Sequence, residues 1–284
     1  MFLQSQEIFL LAGFYTARRL TLYTISKKNL QCIAPLFKGW NETPVWSCLQ
    51  GHLGQAFADN PDTPKSAQIL IGDFCFFAGI PDPELIDNIP DPIRVPVITL
   101  ITRQESWHSL IESTYDGRYI KFIRYALKKE PEAFNQEQLR VNLTGLPQDC
   151  EICRIDGTLY RTLRNEEWSK DLCSQFKNAQ DYAQNGLGFV IIKNHEVITG
   201  ASSYTYYDDG IEIQIDTKRP YRRQGLARIV GSRLILECLQ QNRYPSWDAV
   251  SQESLGLAKS LGYCLEAPYT AYAVGDMALL SAPR

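Results

Sequence analysis

The segment EIQIDTKRPYRRQGLA, residues 212–227, brings Lys218, Arg219, Arg222 and Arg223 up to Gly225 and Ala227. An apolar pattern of helical period follows. The N–H groups that open a helix have no intrahelical partners and suit an anion. Gly225 lets the backbone approach a ligand closely, and Ala227 adds no bulk in its way. Arg228 adds to the positive field. The chemistry this arrangement suits is the holding of a pyrophosphate. GxxxxGK[ST] and GxGxxG are absent, so neither a P-loop nor a dinucleotide fold is indicated. A basic surface helix with a packing glycine uses the same residues, and locally both readings stand.

The neighbouring elements decide how such a turn is held. GIEIQIDT alternates, with Ile211, Ile213 and Ile215 on one side and Glu212, Gln214 and Asp216 on the other, as in a strand. GLARIVGSRLILECLQQN puts Leu226, Ile229, Val230, Leu234, Ile235, Cys238 and Leu239 on one helical stripe. Upstream, LGFVIIK and VITGASSYTYYDD read as strands about an NHE turn. Downstream, PSWDAV reads as a strand, SQESLGLAKSLGY as a short helix and PYTAYAV as a last strand. NEEWSKDLCSQFKNAQDYAQNG has helical periodicity. Together these predict a mixed sheet with helices packed on it over residues 149–284. Residues 1–148 predict a smaller α/β unit. In it SAQILIGDFCFFAG reads as strands about a Gly-Asp turn and VPVITLIT as a buried strand. PDPELIDNIPDPIRVP reads as loop, and ESWHSLIESTYDGRYIKFIRYALKKE as helix, interrupted at Asp116-Gly117. The opening apolar stretch has its Arg pair after it, the wrong order for a signal peptide, and reads as folded structure.

Composition narrows the function classes. The chain has 284 residues, 44% apolar and 21% charged, with a formal net charge of -3, which is globular and gives no global pointer to nucleic acid. No apolar run approaches the roughly 20 residues of a membrane span. The cytoplasm is the expected compartment. The eight cysteines lie mostly beside apolar residues and read as small buried hydrophobes. Cys150 and Cys153 form one C-x-x-C with no second pair or nearby His, so no metal site is expected.

YRRQGLA is similar to the acetyl-coenzyme A signature of the GNAT acyltransferase superfamily. NAQDYAQNGLGFVI, IEIQIDTKRPYRRQGLA, YPSWDAVSQESLGLAKSLGY and YTAY extend the likeness over roughly 150–276. They resemble the branch that includes the zwittermicin A resistance acetyltransferase. GQAFADN, ILIGDFCFFAG and the 105–130 segment resemble the upstream domain of that branch. The resemblance implies a GNAT fold with a centrally splayed mixed sheet, split between strands at 211–217 and 245–250. The domain before it can be a diverged copy of that fold. Without an R-x-x-G-x-A of its own, it is expected to cover the acceptor cleft or support the fold.

The resemblance also implies roles. Main-chain groups of Ile215, Asp216 and Thr217 would bond the pantetheine arm of acetyl-coenzyme A, and amides of Arg223, Gln224, Gly225, Leu226 and Ala227 its pyrophosphate. Arg222 holds the first signature position. Ser251 stands where the branch has Asn, and with Ser254 remains a candidate coenzyme contact. Glu212 is the candidate general base, with Gln214 orienting a water or the substrate. Ala258 replaces the family's usual acid Tyr, which leaves Tyr272 as a candidate proton donor. No cysteine has a matched His and Asp set, so direct attack of an amine on the thioester is expected. Glu212→Gln is expected to cost most at low pH, where the amine is charged. The acceptor would be a small-molecule or peptide amine and the protein a monomer or homodimer, with no nucleic-acid or membrane partner. Two further readings stay open: a coenzyme-binding sensor without catalysis, and a partner-binding protein acting through its first half.

Overall fold

The computed structural model describes residues 22–89, 95–276 and 278. The opening apolar stretch, expected to be folded, lies outside them. In chain order the described strands are β1 (Tyr23–Ile25), β2 (Gln55–Ala58), β3 (Ser66–Ile71), β4 (Phe74–Gly79), β5 (Val97–Thr102) and β6 (Tyr119–Leu127). They continue with β7 (Cys150–Arg154), β8 (Gly188–Lys193), β9 (Glu196–Tyr207), β10 (Gly210–Thr217), β11 (Tyr244–Ser246), β12 (Asp248–Ala249) and β13 (Leu265–Gly275). The helices are α1 (Thr43–Leu49), α2 (Pro83–Asp87), α3 (Glu105–Thr114), α4 (Gln136–Leu143), α5 (Gly157–Asn165), α6 (Ala179–Asn185), α7 (Leu226–Gln240) and α8 (Gln252–Ser260).

Two open mixed sheets result. One runs β1-β2-β3-β4-β5-β13-β6-β12, the other β11-β10-β9-β8-β7. A boundary at 148/149 therefore falls before β7, where the second sheet begins, but does not separate the sheets. The last strand, β13, is hydrogen-bonded between β5 and β6, and β12 pairs with β6. The two halves share one sheet, and neither can complete it alone.

The strand expected over 245–250 is broken. β10 and β11 pair in parallel only from Gly210↔Tyr244 to Glu212↔Ser246. After Trp247 the chain crosses to β6. From Ile213 onward β10 keeps β9 on one edge and has no strand on the other. This is the expected split. Helix α7 packs Leu226, Ile229, Val230, Leu234, Ile235 and Cys238 against Ile211 and Ile213 in one core. Each such side chain stabilises the fold by about 1.5–3 kcal/mol. Leu239, the remaining residue of the stripe, is half-buried.

Three sequence expectations are corrected. Residues 119–127 form a strand, not the continuation of a helix. The helix ends at Thr114, Gly117 turns with φ 67, and YIKFIRYAL then pairs along β13. Its aromatic and branched residues suit either period, and the distant partner decides. Residues 166–185 are not one helix. A 3-10 turn at Lys170–Cys173 is followed by α6, which starts afresh where the Asn178 side chain accepts from the N–H groups of Gln180 and Asp181. Asp82 likewise caps the short α2 inside the stretch read as loop.

Candidate active site

Two hollows meet at β10. The first is a small cavity of about 70 Å³ between the halves. Glu212, Ile213 and Gln214 enter it from β10, Trp247 and Asp248 from the crossing segment, and Thr43, Phe74, Arg124 and Tyr269 from the other sheet and its helix. The second is an open cleft of about 640 Å³ in the split, bounded by β10, the turn before α7 and the start of α8.

Glu212 is buried, and the Thr43 hydroxyl donates to its Oε2. Burial pushes its carboxyl up to about 7, against the opposing pull of Lys129 and the Thr43 hydrogen bond. A carboxyl at that level is poised to exchange a proton near neutrality. Gln214 Nε2 donates to Asp216 Oδ2 at 2.7 Å, so its side chain bridges the two hollows. Beside Glu212, Arg124 Nε donates to Asp248 Oδ1 at 2.6 Å and its guanidinium lies 5.1 Å from the Phe74 ring centre. Tyr269 donates to the other Asp248 oxygen at 2.9 Å. Burial raises the Asp248 carboxyl, and Arg124 and Tyr269 oppose it. Breaking a buried pair strands its partner's charge. Asp248→Ala is therefore expected to lower unfolding free energy by about 3–5 kcal/mol, measurable by urea denaturation.

A bulge aims another wall residue. The β9–β10 register shifts between Glu212 and Ile213, leaving Tyr204 unpaired in the ladder. Its hydroxyl donates to Asp73 Oδ1 at 2.5 Å. Asp73 follows Gly72, whose φ is +58 and where a Cβ would collide with the Tyr204 hydroxyl.

The cleft gathers most of the residues assigned to coenzyme. Ile215, Asp216, Thr217, Arg222, Arg223, Gly225, Leu226, Ala227, Ser251 and Ser254 all line it. Gln224 does not; its side chain donates to the Pro220 carbonyl. Arg223 and Gly225 both have positive φ, 64° and 81°. Turns of this kind direct successive amides to one point and make an anion nest. Among the described residues no acceptor takes the N–H groups from Arg223 to Ala227. A Cβ on Gly225 would point into open space. The free β10 edge leads from these amides to Glu212. This combination fits a phosphate-bearing thioester laid along the strand. The Ser251 hydroxyl also caps α8, accepting from Ser254 N–H at 3.2 Å, which leaves its own O–H to donate into the cleft. Glu253, not anticipated, adds a carboxylate to the cleft rim.

Tyr272 is not part of this site. It is fully buried on the other face of β13, with its hydroxyl donating to Glu112 Oε1 at 2.6 Å. Alternation along the strand explains the error. Tyr269 and Ala271 pack toward the cavity side, Tyr272 and Val274 toward α2 and α3. The tyrosine of β13 at the site is thus Tyr269. Thr43, Arg124 and Lys129 were not found from sequence, since their placement depends on strand pairing and not on any local motif. No cysteine lines either hollow among the described residues. Burial pushes the thiols of Cys48, Cys173 and Cys238 up to about 12.

An open, splayed mixed sheet with an amide-lined cleft on one side and a carboxylate-bearing cavity on the other is the architecture of an acyl-transfer protein. The chain belongs to the GNAT acetyltransferase family, whose sequence model it matches over residues 34–272. It is similar to a GCN5-related N-acetyltransferase-like protein from Streptococcus suis 89/1591. That structure is 39% identical, covers 86% of this chain and 98% of its own, and superposes with a TM-score of 0.81. It is also 25% identical over 269 residues to the uncharacterised N-acetyltransferase YdfB of Bacillus subtilis, spanning 89% of this chain and 99% of that one. A GCN5-related N-acetyltransferase from Sphaerobacter thermophilus shares the fold at 11% identity, with a TM-score of 0.54 over 90% of this chain and 95% of the other. Family and neighbours support an acetyltransferase. No described helix is long and apolar enough to cross a membrane.

Proposed function

We propose that this protein is an acetyl-coenzyme A-dependent N-acetyltransferase that transfers by direct attack of a primary amine. One observation carries the reading. Where β10 parts from β11 at Glu212, its free edge joins the amide-lined cleft to a buried carboxyl with a raised proton affinity. Within the family, the motifs quoted above support the branch resembling the zwittermicin A resistance acetyltransferase.

Acetyl-coenzyme A supplies an activated acyl group. The amides of residues 223–227 and the Arg222 and Arg223 side chains bind its pyrophosphate, and the main chain of 215–217 aligns its arm. Glu212 takes a proton from the acceptor ammonium, directly or through one water. The freed nitrogen lone pair then forms the C–N bond as the C–S bond breaks, and the electron pair leaves on sulfur. Holding both reactants in adjoining hollows removes most of the entropic cost of their meeting. The nitrogen then sheds its second proton, which the departing thiolate takes directly or through a water, and Glu212 returns the first to solvent. Among the described residues no cysteine lines either hollow, which favours direct attack over an acyl-cysteine.

Coenzyme A release measured across a panel of primary amines tests the proposal. An acceptor-dependent signal is expected; failure to bind acetyl-coenzyme A at all would sink it. Thr43 gives a finer prediction. A hydrogen bond to a charged group is worth about 1.5–3 kcal/mol, or about 1–2 pH units of proton affinity. Thr43→Val should move the acid limb of kcat/KM upward by about one pH unit, and Thr43→Ser should restore it. An unmoved limb would show that the hydroxyl does not tune the base.

A further inference from the structure

The charges around the small cavity bear on the acceptor, and this step rests on the acetyltransferase reading. Four carboxylates and three cations line it. Two of each are already committed. Arg103 grips Glu42 with Nη2 2.9 Å from Oε2, donates to the Gly39 carbonyl at 2.7 Å and stacks 5.3 Å from the Trp40 ring centre. Arg124 is bound to Asp248. The charges left over are Glu212 in the depth, Glu266 at the rim and Lys129. Lys129 Nζ donates to the Asn41 carbonyl at 2.6 Å and lies 5.1 Å from the Trp46 ring centre. Among the described residues it is the lining cation without a carboxylate partner.

These leftovers disfavour several acceptor classes. A polyamine or aminoglycoside would bring several positive charges past Lys129 and find at most two free carboxylates. A simple alkylamine would leave Lys129 unmatched. The remaining wall is apolar, with Phe74, Phe76, Ile101 and Pro44.

We propose that the acceptor is a small zwitterion, a primary amine with one carboxylate and a compact apolar remainder, as in an aliphatic α-amino acid. Its ammonium meets Glu212 and its carboxylate meets Lys129. Lys129 is then a specificity-determining residue, because it binds a group that takes no part in bond making.

The test uses the full chain and coenzyme A release with alanine, valine and leucine. Each is set against its decarboxylated amine and its amide. A charge-assisted contact of about 1.5–3 kcal/mol corresponds to roughly 10–100-fold in kcat/KM for the carboxylated member. In Lys129→Met that ratio should fall close to one through a rise in KM, and Lys129→Arg should recover part of it. Equal or faster turnover of the decarboxylated amines overturns the proposal. So does a Lys129→Met variant that keeps the ratio and only shifts the pH profile, which would make Lys129 a tuner of Glu212. Turnover of none of these compounds by a protein that binds acetyl-coenzyme A also overturns it, while leaving the coenzyme reading intact. Failure to bind acetyl-coenzyme A removes the underlying reading instead.

Discussion

Glu212→Gln should lower kcat/KM by about 10²–10⁴-fold, the usual contribution of a positioned base, and erase the acid limb near pH 7. The gap between wild type and variant should be widest above about 7 and close again as the amine loses its own proton. An α-amine does so near 8 and a lysine-like amine near 10.4. This reverses the expectation from sequence, which placed the largest loss at low pH. The reason is burial: with its carboxyl raised to about 7, Glu212 is itself protonated in acid and the wild-type enzyme loses its base there. Stability should move the other way. The folded state holds this proton more tightly than the unfolded chain does. Its contribution is therefore full below the ordinary carboxylate range and is lost as pH rises through about 7. Glutamine escapes that loss. Glu212→Gln should match wild type near pH 4 and gain up to about 3 kcal/mol at pH 8, read as a pH-dependent difference in Tm. A variant with an unchanged pH–rate profile would remove Glu212 from the proton transfer.

Gly225→Trp should weaken acetyl-coenzyme A binding by about 100-fold or more, the loss of two charge-assisted hydrogen bonds at about 1.5 kcal/mol each. Gly225 lines the cleft where the pyrophosphate is to lie and a Cβ there meets no atom within 4 Å, so an indole at this position is expected to compete for that space. The backbone adds its own cost. At φ +81 any side chain is strained, by about 1–3 kcal/mol, so both proteins must be compared well below the variant's Tm. Gly225→Ala bears the same strain with little bulk and should bind far better than the Trp variant by calorimetry. Equal affinity of Gly225→Trp and wild type would place the ligand elsewhere.

What was legible in sequence was local. Helix α7, strand β10 and the basic turn between them follow from apolar periodicity and from Gly225, and they carry the cleft. Glu212 was named through the family resemblance, and alternation along β10 set only its side of the strand. The acceptor cavity was not legible. Thr43 reaches Glu212 across 169 residues, and Arg124 reaches Asp248 across 124. The first exists because α1 packs on β9 and β10, the second because β12 pairs with β6, and no short stretch announces either. Tyr272 was misplaced for the same reason, since one residue of strand parity separates it from the face that Tyr269 shares with the site. The first half, expected to cover the cleft or support the fold, supplies Thr43, Arg124 and Lys129 to the cavity wall.

Backbone amide shifts of ¹⁵N-labelled protein titrated with acetyl-coenzyme A test the central claim most directly. Saturable changes are expected at residues 223–227 and 215–217, with a smaller response at Glu212. Saturable binding that leaves 223–227 unmoved and shifts residues elsewhere would contradict it.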